Sequence, residues 1–361
     1  MPLDPETVRR ALAGVRYPGY SRDIVAFGLV KGVDVSADGK VSVGLAVTTA
    51  DPEVPKKLHA DIEAALKAAG AVRPEIAITV TVPKSGPAAP TVKAPADAGV
   101  GRVRHIVAVA SGKGGVGKST FAVNLACALA RSLTENGRPD RVGLMDCDIY
   151  GPSVPLMMGL GGRPMIDGEV LLPPENFGVK VISMGLLVDE SAPVIWRGPM
   201  VMKTISQFAT NVRWGELDVL LIDLPPGTGD AQLSIVQTMA LSGAVIVTTP
   251  QTAAVTVALR GASMFGKVNV PVLGVAENMS YLETADGGRQ HVFGQGGGLR
   301  VAEALDTELL GEVPLDPAVR MGGDHGIPVV ISHPDSNAAR VFRSVALAVL
   351  RKLQNQPDDS A

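Results

Sequence analysis

Residues 105–132 read HIVAVASGKGGVGKSTFAVNLACALARS, and this stretch decides the fold. His105–Ala110 is a short apolar run of strand type. Lys118–Ser132 carries apolar residues around a full helical turn, as a helix covered on most sides does. Between them lies Gly112-Lys113-Gly114-Gly115-Val116-Gly117-Lys118-Ser119-Thr120, a match to G-x-x-x-x-G-K-[ST] in the strand–loop–helix setting that the pattern requires. The residue types follow from the chemistry. Glycines let consecutive backbone N–H groups turn inward onto phosphate oxygens. The helix N-terminus adds positive potential. Lys118 is placed to reach β- and γ-phosphates, and Ser119 to ligate Mg²⁺.

Outward from this loop, apolar runs alternate with helical stretches. Strands are expected at Arg141–Asp146, Val179–Ser183, Leu217–Asp223, Ala244–Thr249, Val270–Ala276, Leu309–Pro314 and Pro328–Ile331. Helices are expected at Met200–Thr210, Ala231–Ser242, Thr252–Phe265, Gly298–Leu305 and Asn337–Leu353. Strands this apolar are covered on both faces, which makes residues 103–361 a doubly wound parallel α/β domain of P-loop NTPase type, with ligand at the carboxyl ends of its strands. Residues 83–102, rich in Pro, Ala and Gly, read as a semi-stiff linker. Residues 1–82 form a small α+β domain: a helix at Asp4–Ala13, strands at Ile24–Val35 and Val41–Thr48 around Ala37-Asp38-Gly39, a helix at Pro55–Ala69 and a strand at Ile76–Val82.

Composition narrows the function. The chain has 361 residues, 46% hydrophobic and 19% charged, with a formal net charge of −3, so it is not a disordered protein. Aromatics are 4%, too few for a base-stacking RNA surface, and a large nucleic-acid footprint does not fit the charge. No apolar run reaches the roughly 18 residues of a membrane span. Met1–Ala11 has no signal-peptide core, so a cytoplasmic location is expected. The two cysteines, Cys127 and Cys147, make neither a disulfide framework nor a four-thiolate site within one chain.

Acidic residues end two further strands. Asp146-Cys147-Asp148 follows one, and Asp223 ends another before Leu224-Pro225-Pro226-Gly227-Thr228-Gly229-Asp230. Asp223 suits the Mg²⁺ shell, and the Gly227 N–H suits the γ-phosphate.

The pattern K-G-G-x-G-K-[ST], with its early lysine Lys113, resembles the deviant Walker A ATPases, which include ParA, MinD and Mrp proteins. Asp146-Cys147-Asp148-Ile149-Tyr150-Gly151-Pro152-Ser153, Trp196-Arg197-Gly198-Pro199-Met200, Trp214-Gly215-Glu216-Leu217-Asp218, Glu277-Asn278-Met279-Ser280 and Phe293-Gly294 with Gly296-Gly297-Gly298 resemble the blocks of the Mrp/ApbC family of iron–sulfur cluster carrier ATPases. The small domain is similar to the module that precedes many members, best at Asp23-Ile24 and Gly28-Leu29-Val30.

The resemblance implies an Mg²⁺-dependent ATPase that binds iron–sulfur clusters, transfers them to apo-proteins or assists their assembly, and works as a homodimer with Lys113 acting across the dimer. It implies that Asp148 orients the attacking water and Asp146 supports the metal shell, though the residues alone leave the division between these two open. Asn278 and Pro314 are implied at the adenine, and Arg197 at a partner subunit or phosphate, with a structural ion pair as the alternative. Apo iron–sulfur proteins or assembly factors are the implied partners, not nucleic acid or membrane.

One departure stands out. The C-x-x-C pair usual after N-M-S is missing: Tyr281–His291 contains no cysteine, and neither does Thr48–Pro55 in the small domain. The cluster thiolates therefore do not carry over, and Glu283, Asp286 and His291 read as a polar surface loop, with a part in binding iron as the alternative. The alternative is an ATP-switched dimeric binding module of cluster assembly that holds no cluster. A ParA-like partitioning ATPase is a third reading, opposed by the acidic large domain and the W-R-G-P block.

Overall fold

The computed structural model describes residues 4–15, 23–25, 29–36, 40–48, 53–71, 73–81, 98–148, 151, 153–187, 198–227 and 230–356. The turn at Ala37–Gly39, most of the linker, Ile149, Tyr150, Pro152, Arg197, Thr228 and Gly229 lie outside the described residues. The chain divides into two compact units, Met1–Val92 and Lys93–Ala361.

In the first unit, α1 (Pro5–Leu12) starts where Asp4 accepts the Thr7 N–H at 2.7 Å and Pro5 presets the first turn. β1 (Val30–Val35) pairs antiparallel with β2 (Val41–Thr48), α2 (Glu53–Ala68) crosses over, and β3 (Glu75–Thr81) returns parallel to β2. Alternation along β2 sends Val41, Val43, Leu45 and Val47 inward onto Leu58, Ile62 and Leu66 of α2 and Val8 and Leu12 of α1. The expected strand from Ile24 begins only at Val30. Asp23 accepts the Val25 N–H at 3.0 Å, and that local bond makes a turn.

The second unit runs β4 (Val103–Ala110), α3 (Lys118–Glu135), β5 (Val142–Asp146), α4 (Val154–Met157), β6 (Met165–Asp167), β7 (Val170–Leu172), β8 (Glu175–Asn176), β9 (Val179–Ser183), α5 (Gly198–Thr210), β10 (Leu217–Asp223), α6 (Asp230–Thr238), β11 (Gly243–Thr248) and α7 (Thr252–Lys267). It continues with β12 (Val272–Glu277), β13 (Leu282–Glu283), β14 (Arg289–Gln290), α8 (Gly297–Ala304), β15 (Leu309–Glu312), α9 (Pro317–Asp324), α10 (Val329–Ser332) and α11 (Asn337–Gln354). The main sheet has the order β15-β12-β11-β4-β10-β5-β9-β8, parallel except for the antiparallel edge strand β8.

Period-two alternation gives this sheet two cores. Val107, Val109, Val219, Leu221, Val142 and Leu144 face α3 and α11, where Phe121 and Phe342 meet at 5.4 Å between ring centroids. Ile106, Ala108, Leu220, Ile222 and Met145 face α5, α6 and α7. The alternating strand–helix reading of this unit is borne out as a mostly parallel α/β sheet.

One expected strand is not there. Pro328–Ile331 lies in the helical turn α10, where Ser332 N–H reaches Pro328 O at 2.9 Å and Asn124 Oδ1 accepts the Val330 N–H at 3.3 Å. A four-residue apolar run has no readable period. Contact with α3 decided its state. The hairpins β6–β7 and β13–β14 and helix α9 are short and carry little apolar signal in the sequence.

Candidate functional site

The phosphate loop sits between the end of the central strand β4 and the start of α3. In the sheet register Val109, Asp223, Asp146 and Ser183 lie side by side on β4, β10, β5 and β9. Alternation sends these carboxylates to the face that α3 covers, and Lys118 is the first residue of α3. The ammonium therefore lands between the sheet and its own helix. Lys118 is 5% exposed; its Nζ is ion-paired with Asp223 Oδ1 and donates to Ser119 Oγ at 3.3 Å.

Asp223 is fully buried, and its Oδ2 has no hydrogen-bond partner among the described residues. Burial pushes its carboxyl above the ordinary range, and the Lys118 ammonium opposes that. Asp146 is raised to about 7, first by burial and then by the charge of Asp223. Both of its oxygens are occupied. Oδ1 accepts the Asp148 N–H at 3.0 Å, and Oδ2 accepts from Ser183 Oγ at 2.8 Å. Asp146 thus holds the backbone of Asp148, while Asp148 itself reaches the cleft.

That cleft, of about 220 Å³, is lined by Lys113, Gly114, Gly115, Gly117, Lys118, Ser119, Thr120, Asp148 and Pro226, among others. Lys113 is exposed. Gly112 and Val116 do not line it. A side chain at Gly112 would collide with the Val257 carbonyl on α7, and Val116 is part of the apolar core. Gly117 takes a φ of +77°, a conformation glycine adopts without penalty.

Three backbone bonds close the floor. Leu224 N–H reaches Val109 O at 3.1 Å, Cys147 N–H reaches Asp223 O at 3.0 Å and Gly227 N–H reaches Ser111 O at 3.2 Å. Gln232, buried on α6, donates to the Pro225 carbonyl.

Asn278 follows β12 and stands against the loop from the other side, its Nδ2 donating to Val116 O at 2.9 Å. Pro314 is buried behind it, beside Val313, whose N–H reaches Glu277 O at 2.8 Å. Neither lines the cleft. Nothing in the sequence pattern singles out Ser183 or Gln232. Ser183 betrays itself only once β9 is aligned beside β5.

Ser119 Oγ and the unpartnered Asp223 Oδ2 are oxygens of the type that a hard divalent cation takes.

Both thiols are buried. Cys127 lies 3.9 Å from the Met158 sulfur, and burial raises it to about 12; Cys147 is raised well above its ordinary value by burial, then by Asp146. The hairpin β13–β14 spends its polar groups locally. Glu283 accepts from Asn337 Nδ2 at 2.7 Å, Asp286 pairs with Thr284, and Arg289 stacks 4.1 Å over the Tyr281 ring. Among the described residues no three His, Cys, Asp or Glu side chains are placed to hold a metal, and no helix is long and apolar enough to cross a membrane.

Residues 102–350 match the family described as NUBPL iron-transfer P-loop NTPase. Residues 5–80 match a family described as iron-sulfur cluster assembly protein. The chain is 42% identical over 359 residues to the iron-sulfur cluster carrier protein of Synechocystis sp., covering 97% of this chain and 98% of that one. It is 49% identical over 258 residues to the iron-sulfur cluster transfer protein NUBPL of Mus musculus, covering 71% and 80% respectively. Among solved structures, the nucleotide-binding protein of Archaeoglobus fulgidus in complex with ADP is similar with a TM-score of 0.55 and 38% identity, over 63% of this chain and 88% of that one.

Proposed function

Because the chain belongs to the NUBPL iron-transfer P-loop NTPase family, we propose that it couples Mg²⁺-dependent ATP binding and hydrolysis to the handling of iron–sulfur clusters as cargo. The observation that carries the nucleotide half is the buried Lys118–Asp223 pair at the base of the glycine loop, with one Asp223 oxygen left without a partner.

In this reading the N–H groups of Gly114–Thr120 converge on the β- and γ-phosphates, and Lys118 turns from Asp223 onto them. Ser119 and Asp223 would hold Mg²⁺, which would supply charge neutralisation. Asp146, with both oxygens engaged, acts through Asp148, and Asp148 orients the attacking water. Gly227 exchanges its bond to the Ser111 carbonyl for the γ-phosphate. Exposed Lys113 reaches the phosphates of a second copy, so hydrolysis depends on a homodimer. Asn278 borders the base, and Pro314 backs it.

A second reading is favoured by the thiols. Cys127 and Cys147 are both 0% exposed, and Tyr281–His291 offers no thiolate. Iron–sulfur clusters are normally held by thiolates. The chain then works as an ATP-switched dimer that recruits apo-proteins or assembly factors while another protein holds the cluster. Its place is the cytoplasm, with neither nucleic acid nor membrane as partner.

Anaerobic reconstitution with iron and sulfide, run beside an ATPase assay, decides between the two. A charge-transfer band with stoichiometric iron establishes the carrier. Colourless protein with full ATPase activity overturns the carrier, and the binding module then requires that capture of an apo-protein or assembly factor depend on ATP. Protein that binds no ATP overturns both.

A further inference from the structure

Glu277 and the glycines Gly296-Gly297-Gly298 take no part in the chemistry above. Glu277 ends β12 with 0% exposure. One carboxylate oxygen accepts from Ser280 Oγ at 2.6 Å, and the other accepts the Gly298 N–H. Gly298 is the second residue of α8. The first N–H groups of a helix have no partner within it, and a capping side chain ordinarily supplies the oxygen. Gly296, the residue before α8, has no side chain to do so. The acceptor comes from the neighbouring strand instead.

This arrangement needs close approach. A Cβ at position 298 would stand 2.7 Å from Glu277 Cβ, and one at position 297 would stand 2.7 Å from Pro250 Cα. Gly297 and Gly298 are thereby explained as packing space, and Gly296 by its φ of +69°.

The next residue reaches the other way. Asn278 Nδ2 donates to Val116 O at 2.9 Å and fills the space a side chain at Gly117 would need. Its backbone N–H is fixed to Thr248 O at 2.8 Å. One dipeptide therefore joins the start of α8 to the phosphate loop.

We propose that Glu277 is a positioning residue for the phosphate loop. It pins the end of β12 to α8, and so holds the Asn278 amide on the Val116 carbonyl. The loop's N–H groups stay convergent before nucleotide arrives. Without the pin the loop samples more conformers, and binding must order them. The loss falls on nucleotide affinity and not on the step after binding. The kinetic part rests on the ATPase reading, whereas the structural part does not.

The test uses the full chain. Glu277→Met keeps the volume and removes both acceptors. Glu277→Gln keeps a carbonyl oxygen for the Gly298 N–H, and its amide donates to Ser280 Oγ. Hydrogen–deuterium exchange is followed over residues 112–124 without nucleotide, and a fluorescent ADP is titrated with Mg²⁺.

Glu277→Met is expected to speed exchange in the loop and weaken ADP about fivefold, the worth of one net hydrogen bond, with kcat unchanged. Glu277→Gln restores both. Combined with Asn278→Ala, Glu277→Met adds nothing further, because the two act in one path. Faster exchange confined to residues 297–304, or effects that multiply in the double variant, overturns the proposal. If Glu277→Met does not fold, Glu277→Ala, which also removes both acceptors and adds no volume, carries the same comparison. Exchange is read without nucleotide, so a wild-type chain that hydrolyses no ATP counts against the ATPase reading alone.

Discussion

Lys118 and Lys113 stand five residues apart and lead opposite lives. Lys118 is buried between two acidic strand ends and neutralises Asp223. Removing one partner of a buried pair strands the other, which costs about 3–5 kcal/mol. Lys118→Ala is therefore expected to abolish nucleotide binding and also to lower the melting temperature of the nucleotide-free protein. Thermal unfolding followed by circular dichroism reads the second effect separately from the first. Lys113 is exposed. Lys113→Ala should leave stability within about 0.5 kcal/mol, as surface changes do. ADP binding should survive, and hydrolysis should fall about 10²-fold, the usual loss for one transition-state donor. Full turnover by this variant removes Lys113 from the chemistry. Both lysines are legible in sequence because the loop pattern fixes them by spacing. The hydrogen bonding of Asp146 is not, because one of its donors is Ser183, a residue 37 positions away.

At the scale of elements, α3 is held by the sheet on one side and α11 on the other. Phe342 of α11 is 1% exposed and tilts against Phe121. Phe342→Ala is expected to cost about 3–5 kcal/mol, measured by urea unfolding with an unchanged m-value. Nucleotide affinity should also fall where the variant remains folded, since the ring packs on Phe121, which follows Thr120 of the phosphate loop and donates its N–H to Gly117 O at 2.9 Å. The long elements were readable for physical reasons. α11 shows a clear apolar stripe, and the parallel strands are apolar throughout because both faces are covered. What escaped reading was short or locally bonded. Pro328–Ile331 is apolar enough for a strand, yet β15 already ends the sheet and α3 offers the better contact. β1 starts later than its apolar pattern predicts, and one Asp23 oxygen bends the chain at Val25 before it.

At the scale of the whole molecule, two units with separate apolar cores share one chain. Scanning calorimetry of the full chain should resolve two transitions. ADP with Mg²⁺ at about 100 times its Kd stabilises only the state that binds it, by about 2.7 kcal/mol, so only the transition of the unit spanning Lys93–Ala361 should move. A single transition that shifts as one would show that the two units unfold together. The register row that carries Asp223, Asp146 and Ser183 has a further consequence, for inheritance. Adding or deleting one residue inside β5, β9 or β10 turns every later side chain in that strand to the opposite face. Asp146 or Asp223 would then point into the apolar layer under α5 and α6. The strands can accept point changes among aliphatic residues but not changes of length. Changes of length are expected to be tolerated only in the turns that enter these strands, such as Asn136–Arg141 before β5. In a single-residue insertion library, survivors should cluster in those entry turns, and the site end of the sheet should be empty of them.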